Sequence, residues 1–366
     1  MALPSWLHFS QLSGSGDTVI TVTADTYDKF YDRSDNFIVS GNTLWVRVYA
    51  DQERIKLDTP LTFNITSNGN LRWKKSASGA TTCVIQYSKN GGEWTNLTPT
   101  TAGVTINVSA GDVVQFRGDN AAYAGSSHYC SFSGSTASFT LAGNIMSLIN
   151  STSFDDIVSF SADYVFRMLF NHTNVTDASN LALPIEYMSM GCYESMFNYC
   201  QQLTKPPVLP APNLYANCYY GMFAYCTALT EAPDLPALTV YDFSYSGMFR
   251  NCTSLVNPPT MAMTTISGNS CMYMFENCTS LVSSPHLLPE TLYAYGVTGC
   301  YAGMFAGCTA LTTIWCNAVT RPANSTSGWV TNAGNGSGTF YKNANATWTV
   351  DPDDGVPTGW SVVDIA

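Results

Sequence analysis

Cysteine is the residue type here with the most chemistry to offer, and its spacing decides what that chemistry is. The chain has twelve. No C-x₂-C pair occurs, and His8, His128, His172 and His286 are scattered, so zinc-site spacing is absent and no metal ligand set is expected. A catalytic thiol should be singular, yet ten of the twelve cysteines recur at periodic positions, which points to packing. Cys83 and Cys130 stand outside that period and read as core thiols, and an oxidising environment would allow disulfides between cysteine columns. Nucleophilic serine chemistry lacks its elbow, since no G-x-S-x-G is present. Paired carboxylates for glycoside hydrolysis cannot be nominated either: there are seven Glu, and Glu186, Glu194, Glu231, Glu276 and Glu290 occupy different places in the repeat. Asp351-Pro352-Asp353-Asp354-Gly355 departs from the EF-hand pattern, with Gly at the fifth position and Val362 where the bidentate Glu belongs, and reads as a turn. No catalytic residue and no cofactor is expected.

Aromatic side chains are the remaining candidates. Tyr193, Tyr219, Tyr245 and Tyr301 share one position of a repeat, and Tyr220 lies beside one of them. Two readings are open. Exposed, the ladder would stack on sugar rings, because a flat ring offers area at small entropic cost; buried, it would be a structural column. Trp73 and Trp94 face the same choice. On the first reading these five tyrosines form the ligand-binding set.

The elements that must position them fall into regimes. Residues 1–54 alternate apolar and polar residues over Val19–Thr23, Asn36–Val39 and Leu44–Tyr49, with turns at Gly14–Asp17 and Ser40–Asn42, so a small antiparallel domain is predicted. Residues 60–149 predict a second β-sandwich of roughly seven strands, with a hairpin signal at Asn90-Gly91-Gly92 and a turn at Ala110-Gly111-Asp112. Over residues 154–311 the unit Met-Phe-x-x-Cys-x-x-Leu starts at Met196, Met222, Met248, Met274 and Met304, at intervals of 26, 26, 26 and 30 residues. A fixed period of that length marks a stacked solenoid. Phe197, Phe223, Phe249, Phe275 and Phe305 should form one column, Cys200, Cys226, Cys252, Cys278 and Cys308 another, and the leucines a third. Residues 312–366, with Trp315, Trp329, Trp348 and Trp360, read as a β-rich C-terminal cap.

Charge excludes some partners. Charged residues make up 11% of the chain, against roughly a quarter in ordinary soluble domains, and the net charge is −11. Ten of the fifteen Lys and Arg lie in residues 1–117, and between Glu186 and Leu311 only Lys205 and Arg250 are basic. Without a basic cluster, nucleic-acid binding is not expected. The longest uncharged run, Thr291 to Thr320, is broken by Thr, Asn, Tyr and Gly, so membrane insertion is not expected. MALPSWLHFS has no basic n-region or apolar core of the Sec type.

Two resemblances add expectations. Pro4-Ser5-Trp6-Leu7, Gly14-Ser15-Gly16-Asp17, the strand to Asp25, Arg33-Ser34 and the strand ending near Gln52 resemble a BACON domain, an immunoglobulin-like β-sandwich of Bacteroidetes proteins and their phages. Glu53-Arg54 depart from its usual close. Phe-x-x-Cys-x-x-Leu at this period resembles the BspA-like leucine-rich repeats of bacterial surface proteins, over about a third of the chain. Together they imply a mainly β protein: two small N-terminal antiparallel β-sandwich domains, a leucine-rich-repeat solenoid and a C-terminal β cap. The function they imply is a structural or adhesive virion protein of a Bacteroides-infecting phage, crAss-like phages included: a head fibre, capsid decoration or tail-associated adhesin. Its partners would be other virion proteins, further copies of itself and host surface glycans. A start without an export signal fits an extracellular-type protein released by lysis. The alternatives are a bacterial cell-surface glycan-binding adhesin and, behind it, a glycoside hydrolase.

Overall fold

The computed structural model describes the backbone of residues 7–9, 22–24, 33–39 and 42–48, and residues 57–365 apart from 81, 296 and 297. The chain divides into two compact units, Met1–Lys56 and Leu57–Ala366.

In the first unit, β1 (Leu7–Phe9) pairs antiparallel with β2 (Val22–Ala24), and β3 (Arg33–Val39) with β4 (Asn42–Val48). The β3–β4 register runs from Arg33↔Val48 to Val39↔Asn42. The other segments that carry the BACON resemblance, Pro4-Ser5-Trp6, Gly14–Asp17 and Gln52–Arg54, lie outside the described residues.

The second unit is mainly β and begins with two sheets. One is six-stranded, in the order β13-β12-β5-β10-β7-β8, with β5 Leu61–Ile65, β7 Ile85–Lys89, β8 Thr95–Leu97, β10 Val113–Gly118, β12 Ser138–Asn144 and β13 Asn174–Ala182. The other is three-stranded, β11-β6-β9, with β6 Gly69–Lys75, β9 Val104–Val108 and β11 Cys130–Ser131. Asn90 and Gly91 turn the β7–β8 hairpin at φ 54° and 71°, as the Asn-Gly-Gly signal predicts. Phe63 from the first sheet packs against Phe116, Phe132 and Phe139 with ring centroids 4.5–4.9 Å apart, and Trp73 from the second packs on Phe132 at 4.8 Å. Trp73 is fully buried.

β13 has an importance that local sequence does not announce. It pairs parallel with β12, yet it belongs to the repeat array, so the six-stranded sheet runs straight into the solenoid. One hydrophobic cluster accordingly extends from Leu61 to Trp360.

The array is a β-solenoid of about five turns. Its inner turn has an unusual backbone logic. Every fourth residue is left-handed, as at Gly191, Ser195 and Tyr199 or Asn217, Gly221 and Tyr225. The N–H groups of Tyr193, Ser195, Phe197 and Tyr199 donate to the carbonyls of Cys218, Tyr220, Met222 and Ala224 on the next coil, at 2.8–3.0 Å. The residues between them donate three residues back within their own coil, as Met196 does to Tyr193. Alternation of this kind satisfies the backbone without a helix or a regular strand. It also makes the ladder one-directional: N–H groups point toward the C-terminal end and carbonyls toward the N-terminal end.

Each end therefore exposes one kind of orphan group, and each is covered. At the N-terminal end the N–H groups of Tyr123 and Phe132 donate to the first-coil carbonyls of Val165 and Leu169, both at 2.8 Å. At the other end, Gly328 N–H donates to Asp354 Oδ1 at 2.6 Å and Val330 N–H to the Asp353 carbonyl at 3.1 Å. Asp351 shapes that loop by accepting the N–H groups of Asp353 and Asp354, and those bonds lower its pKa. Carboxylates belong here for the reason they belong at a helix N-terminus: the unpaired N–H groups carry partial positive charge. Aromatic bulk closes the same end, with Trp329 stacked on Tyr301 at 6.4 Å, Trp348 on Trp329 at 5.2 Å and the Arg321 guanidinium 3.6 Å over Trp348.

Candidate functional site

Three columns run through the solenoid interior. Phe170, Phe197, Phe223, Phe249, Phe275 and Phe305 stack with centroids 5.3–5.7 Å apart. Leu203, Leu229, Leu255, Leu281 and Leu311 are fully buried. Each column thiol donates to the backbone carbonyl of a phenylalanine on the preceding coil, Cys200 to Phe170, Cys226 to Phe197, Cys252 to Phe223, Cys278 to Phe249 and Cys308 to Phe275, at 3.0–3.1 Å. A small side chain with one weak donor suits a tight turn whose carbonyl already accepts one hydrogen bond, as Phe197 does from Cys200 N–H and Phe170 from Thr173 Oγ1, and has a second lone pair to offer. Burial pushes these thiols up, Cys200 to about 11 and Cys308 to about 12, so they carry little thiolate at neutral pH.

The tyrosine ladder lies inside as well. Tyr193, Tyr219, Tyr245 and Tyr301 are at most 1% exposed, and Tyr193, Tyr219 and Tyr245 stack at 6.0–6.1 Å behind Phe166. Their faces cover one another, so they offer nothing to a ligand, and the surface reading of these four residues is corrected. The repeat position alone could not separate the two readings, because a column on either side of the wall has the same period. Burial raises their pKa values well above the ordinary phenol range. The hydroxyls of Tyr193, Tyr219 and Tyr301 have no hydrogen-bond partner among the described residues.

Tyr220 is different. It is 40% exposed and meets Phe243 edge to face at 6.5 Å. Two further exposed aromatics, which the periodicity did not single out, pair across neighbouring coils: Tyr215, 52% exposed, and Tyr241, 47% exposed, whose centroids are 6.4 Å apart at 30°. The backbone that positions them is the inter-coil ladder, in which Asn217 N–H donates to the carbonyl of Asp242, next to Tyr241. The Asp242 carboxylate accepts Ser267 Oγ at 2.9 Å and supplies a polar group at the same edge. Tyr215 and Tyr241 are 26 residues apart, the repeat interval itself, and that spacing was the signal available in the sequence.

A second aromatic row, half-buried, crosses the four-stranded parallel sheet formed by β14 (Ser283–Leu287), β15 (Thr313–Cys316), β16 (Thr339–Asn343) and β17 (Ser361–Ile365). Here Trp315 lies between His286 at 4.6 Å and Tyr341 at 3.8 Å. Trp315 has a ring stacked on each side, and Trp315 and Tyr341 are half-buried. The looser Tyr215–Tyr241 pair leaves ring face open, and is the better platform for a flat apolar ligand surface. His172, Tyr199 and Tyr225 form a third row, packed at 4.5 and 4.2 Å like the second.

Among the described residues no group of three or more His, Cys, Asp or Glu could hold a metal ion, and no helix is long and apolar enough to cross a membrane. Trp94 carries the Arg117 guanidinium 4.1 Å over its ring. No protein-family model, curated protein or solved structure matches the chain.

Proposed function

We propose that this chain is a structural and adhesive surface protein whose solenoid presents a tyrosine-lined binding edge, and that its ligand is a glycan. The observation that carries this reading is the exposed pair Tyr215 and Tyr241 on consecutive coils of a sparsely charged wall, with Tyr220 also exposed on the coil of Tyr215. Rigid tyrosines bury area on binding while losing little side-chain entropy, and their phenol hydroxyls bond to sugar hydroxyls. The continuous core and the two covered ends support a scaffold role, since such an array holds its outer residues at set intervals.

The finer identity rests on the resemblances. On this reading the repeats are leucine-rich repeats of the BspA-like kind, the sheets of residues 60–149 form a β-sandwich, and the first unit is a BACON-like module that docks on a phage particle. The chain then belongs to the virion surface, with other virion proteins and copies of itself as partners. A bacterial cell-surface adhesin is the second reading, favoured by the same repeat motif. A glycan array probed with the full chain tests the binding claim: selective retention of one glycan class is expected, and no retention above a scrambled-surface control would overturn it. Mass spectrometry of purified particles of the phage tests the virion claim, which absence of the chain would reject.

A further inference from the structure

An edge strand leaves alternate N–H and C=O groups without a partner, and most sheet edges within residues 57–365 are closed against this. β8 and β11 have only three and two residues. β13 is covered by the next coil, where Thr204 N–H donates to the Thr176 carbonyl and Ala178 N–H to the Lys205 carbonyl, both at 2.9 Å. The carbonyl of Asn107 in β9 accepts Lys89 Nζ at 3.2 Å. β14 contains Pro285 and a break in register between Ser283 and His286. β17 has none of these devices. It stands last in its sheet among the described residues, pairs with β16 without a break from Thr339↔Ser361 to Asn343↔Ile365, and contains no Pro, Gly or Lys. Val362 and Val363 are 44% and 41% exposed, and Lys342 pairs with the one charge on the strand, Asp364.

We propose that two copies of the chain join along this edge, with Ser361–Ile365 of each running antiparallel about a twofold axis at Val363. Hydrogen-bond parity selects that register. Ser361 N–H donates inward to the Gly338 carbonyl at 2.9 Å. Alternate residues of a parallel strand bond to the same side, so Val363 and Ile365 also bond inward, and the N–H and C=O groups of Val362 and Asp364 face out. An axis at Val363 sets Val362 opposite the partner's Asp364, and the reverse, as hydrogen-bonded pairs. Val363 then meets the partner's Val363 at the non-hydrogen-bonded site, where Cα atoms come within about 4.5 Å and β-branched side chains pack well. The neighbouring registers are worse. An axis at Asp364 puts two carboxylates opposite each other. An axis at Val362 requires the partner's Trp360, whose N–H is already bound to the Pro357 carbonyl. The pairing also continues a row already present, since His286, Trp315, Tyr341 and Val363 are register partners across the sheet. A twofold contact limits itself, because each copy closes the open edge of the other. It involves no glycan and stands apart from the tyrosine edge.

The test is sedimentation velocity of the full chain over a wide concentration range, from micromolar to near-millimolar. The expected result is a concentration-dependent shift from one chain to two and no further. Val363→Lys alone and Val363→Glu alone set like charges opposite each other, and each should remain a single chain. Val256→Lys, at a valine of the array that is 42% exposed, should associate as the unsubstituted chain does. An equimolar mixture of the two Val363 variants should recover the two-chain species, because the axis brings unlike charges together. Single-chain mass at every concentration overturns the proposal, as do growth beyond two chains, association that survives both Val363 substitutions, and a mixture that stays monomeric. If either variant does not fold, hydrogen exchange on the unsubstituted chain decides. The amides of Val362 and Asp364 should slow as concentration rises, and exchange that ignores concentration rejects the pairing.

Discussion

At the scale of single residues, burial separates roles that sequence position leaves merged. Tyr219 lies in the middle of a stack with a hydroxyl that no described residue satisfies, and Phe166 already occupies an equivalent place in that stack. An unsatisfied buried hydroxyl costs free energy, so Tyr219→Phe should be neutral or stabilising by up to about 1 kcal/mol in urea unfolding. A loss of more than that would mean the hydroxyl has a partner. Cys252 reads the other way. Its thiol fills space and donates to the Phe223 carbonyl at 3.1 Å, so Cys252→Ala should cost roughly 1–3 kcal/mol in the same assay. Asp112 supplies a pH signature. Lys89, the Ser109 N–H and the Asn90 amide hold its carboxyl at about 2, below the ordinary value of 3.8. A depressed folded-state pKa stabilises above the unfolded value and is lost on acidification. Thermal unfolding should therefore show a loss of stability between about pH 3.8 and pH 2 that Asp112→Asn lacks.

Elements were legible wherever a local rule governs them. Asn90-Gly91 announced its hairpin because left-handed turn residues favour Asn and Gly. The phenylalanine, cysteine and leucine columns followed from the repeat interval, since side chains at one phase of a coil must meet. Three features escaped for physical reasons. The β12–β13 pairing is parallel and joins residues 36–38 apart, as in Phe139↔Val175 and the Thr176 Oγ1 bond to the Phe139 carbonyl, and alternation within either strand does not name its partner. The left-handed positions hold Tyr164, Met168, His172 and Tyr199 as well as glycines, so no glycine rhythm marks them; inter-coil bonds hold them in place. The outward tyrosines share the period of the inward ones. The one-directional ladder makes a prediction at this scale. Asp354→Ala leaves the Gly328 N–H without its 2.6 Å acceptor, and by analogy with helix capping should cost about 0.5–2 kcal/mol. Hydrogen exchange should quicken at residues 326–332 while Tyr193–Tyr199 keep their protection; uniform quickening would show that the array opens as one unit.

For the whole molecule, the solenoid, its end coverings and its outer edge do separate work. The segments flanking β11 satisfy the carbonyl end of the stack, the acidic loop and stacked tryptophans satisfy the other, and the wall between them holds Tyr215 and Tyr241 one repeat interval apart, with Tyr220 on the coil of Tyr215. On the proposed reading, the low charge and the exposed tyrosines serve adhesion. The central claim is that the exposed edge, and not the buried column, takes the ligand. The direct measurement is binding of the array-selected glycan, by calorimetry or surface plasmon resonance, to the full chain and to two variants. Tyr215→Ala with Tyr241→Ala should weaken binding at least about tenfold, equivalent to ~1.4 kcal/mol, with the melting temperature unchanged. Tyr219→Phe should bind like the unsubstituted protein. Undiminished binding by the double variant, or its loss in Tyr219→Phe, would contradict the account.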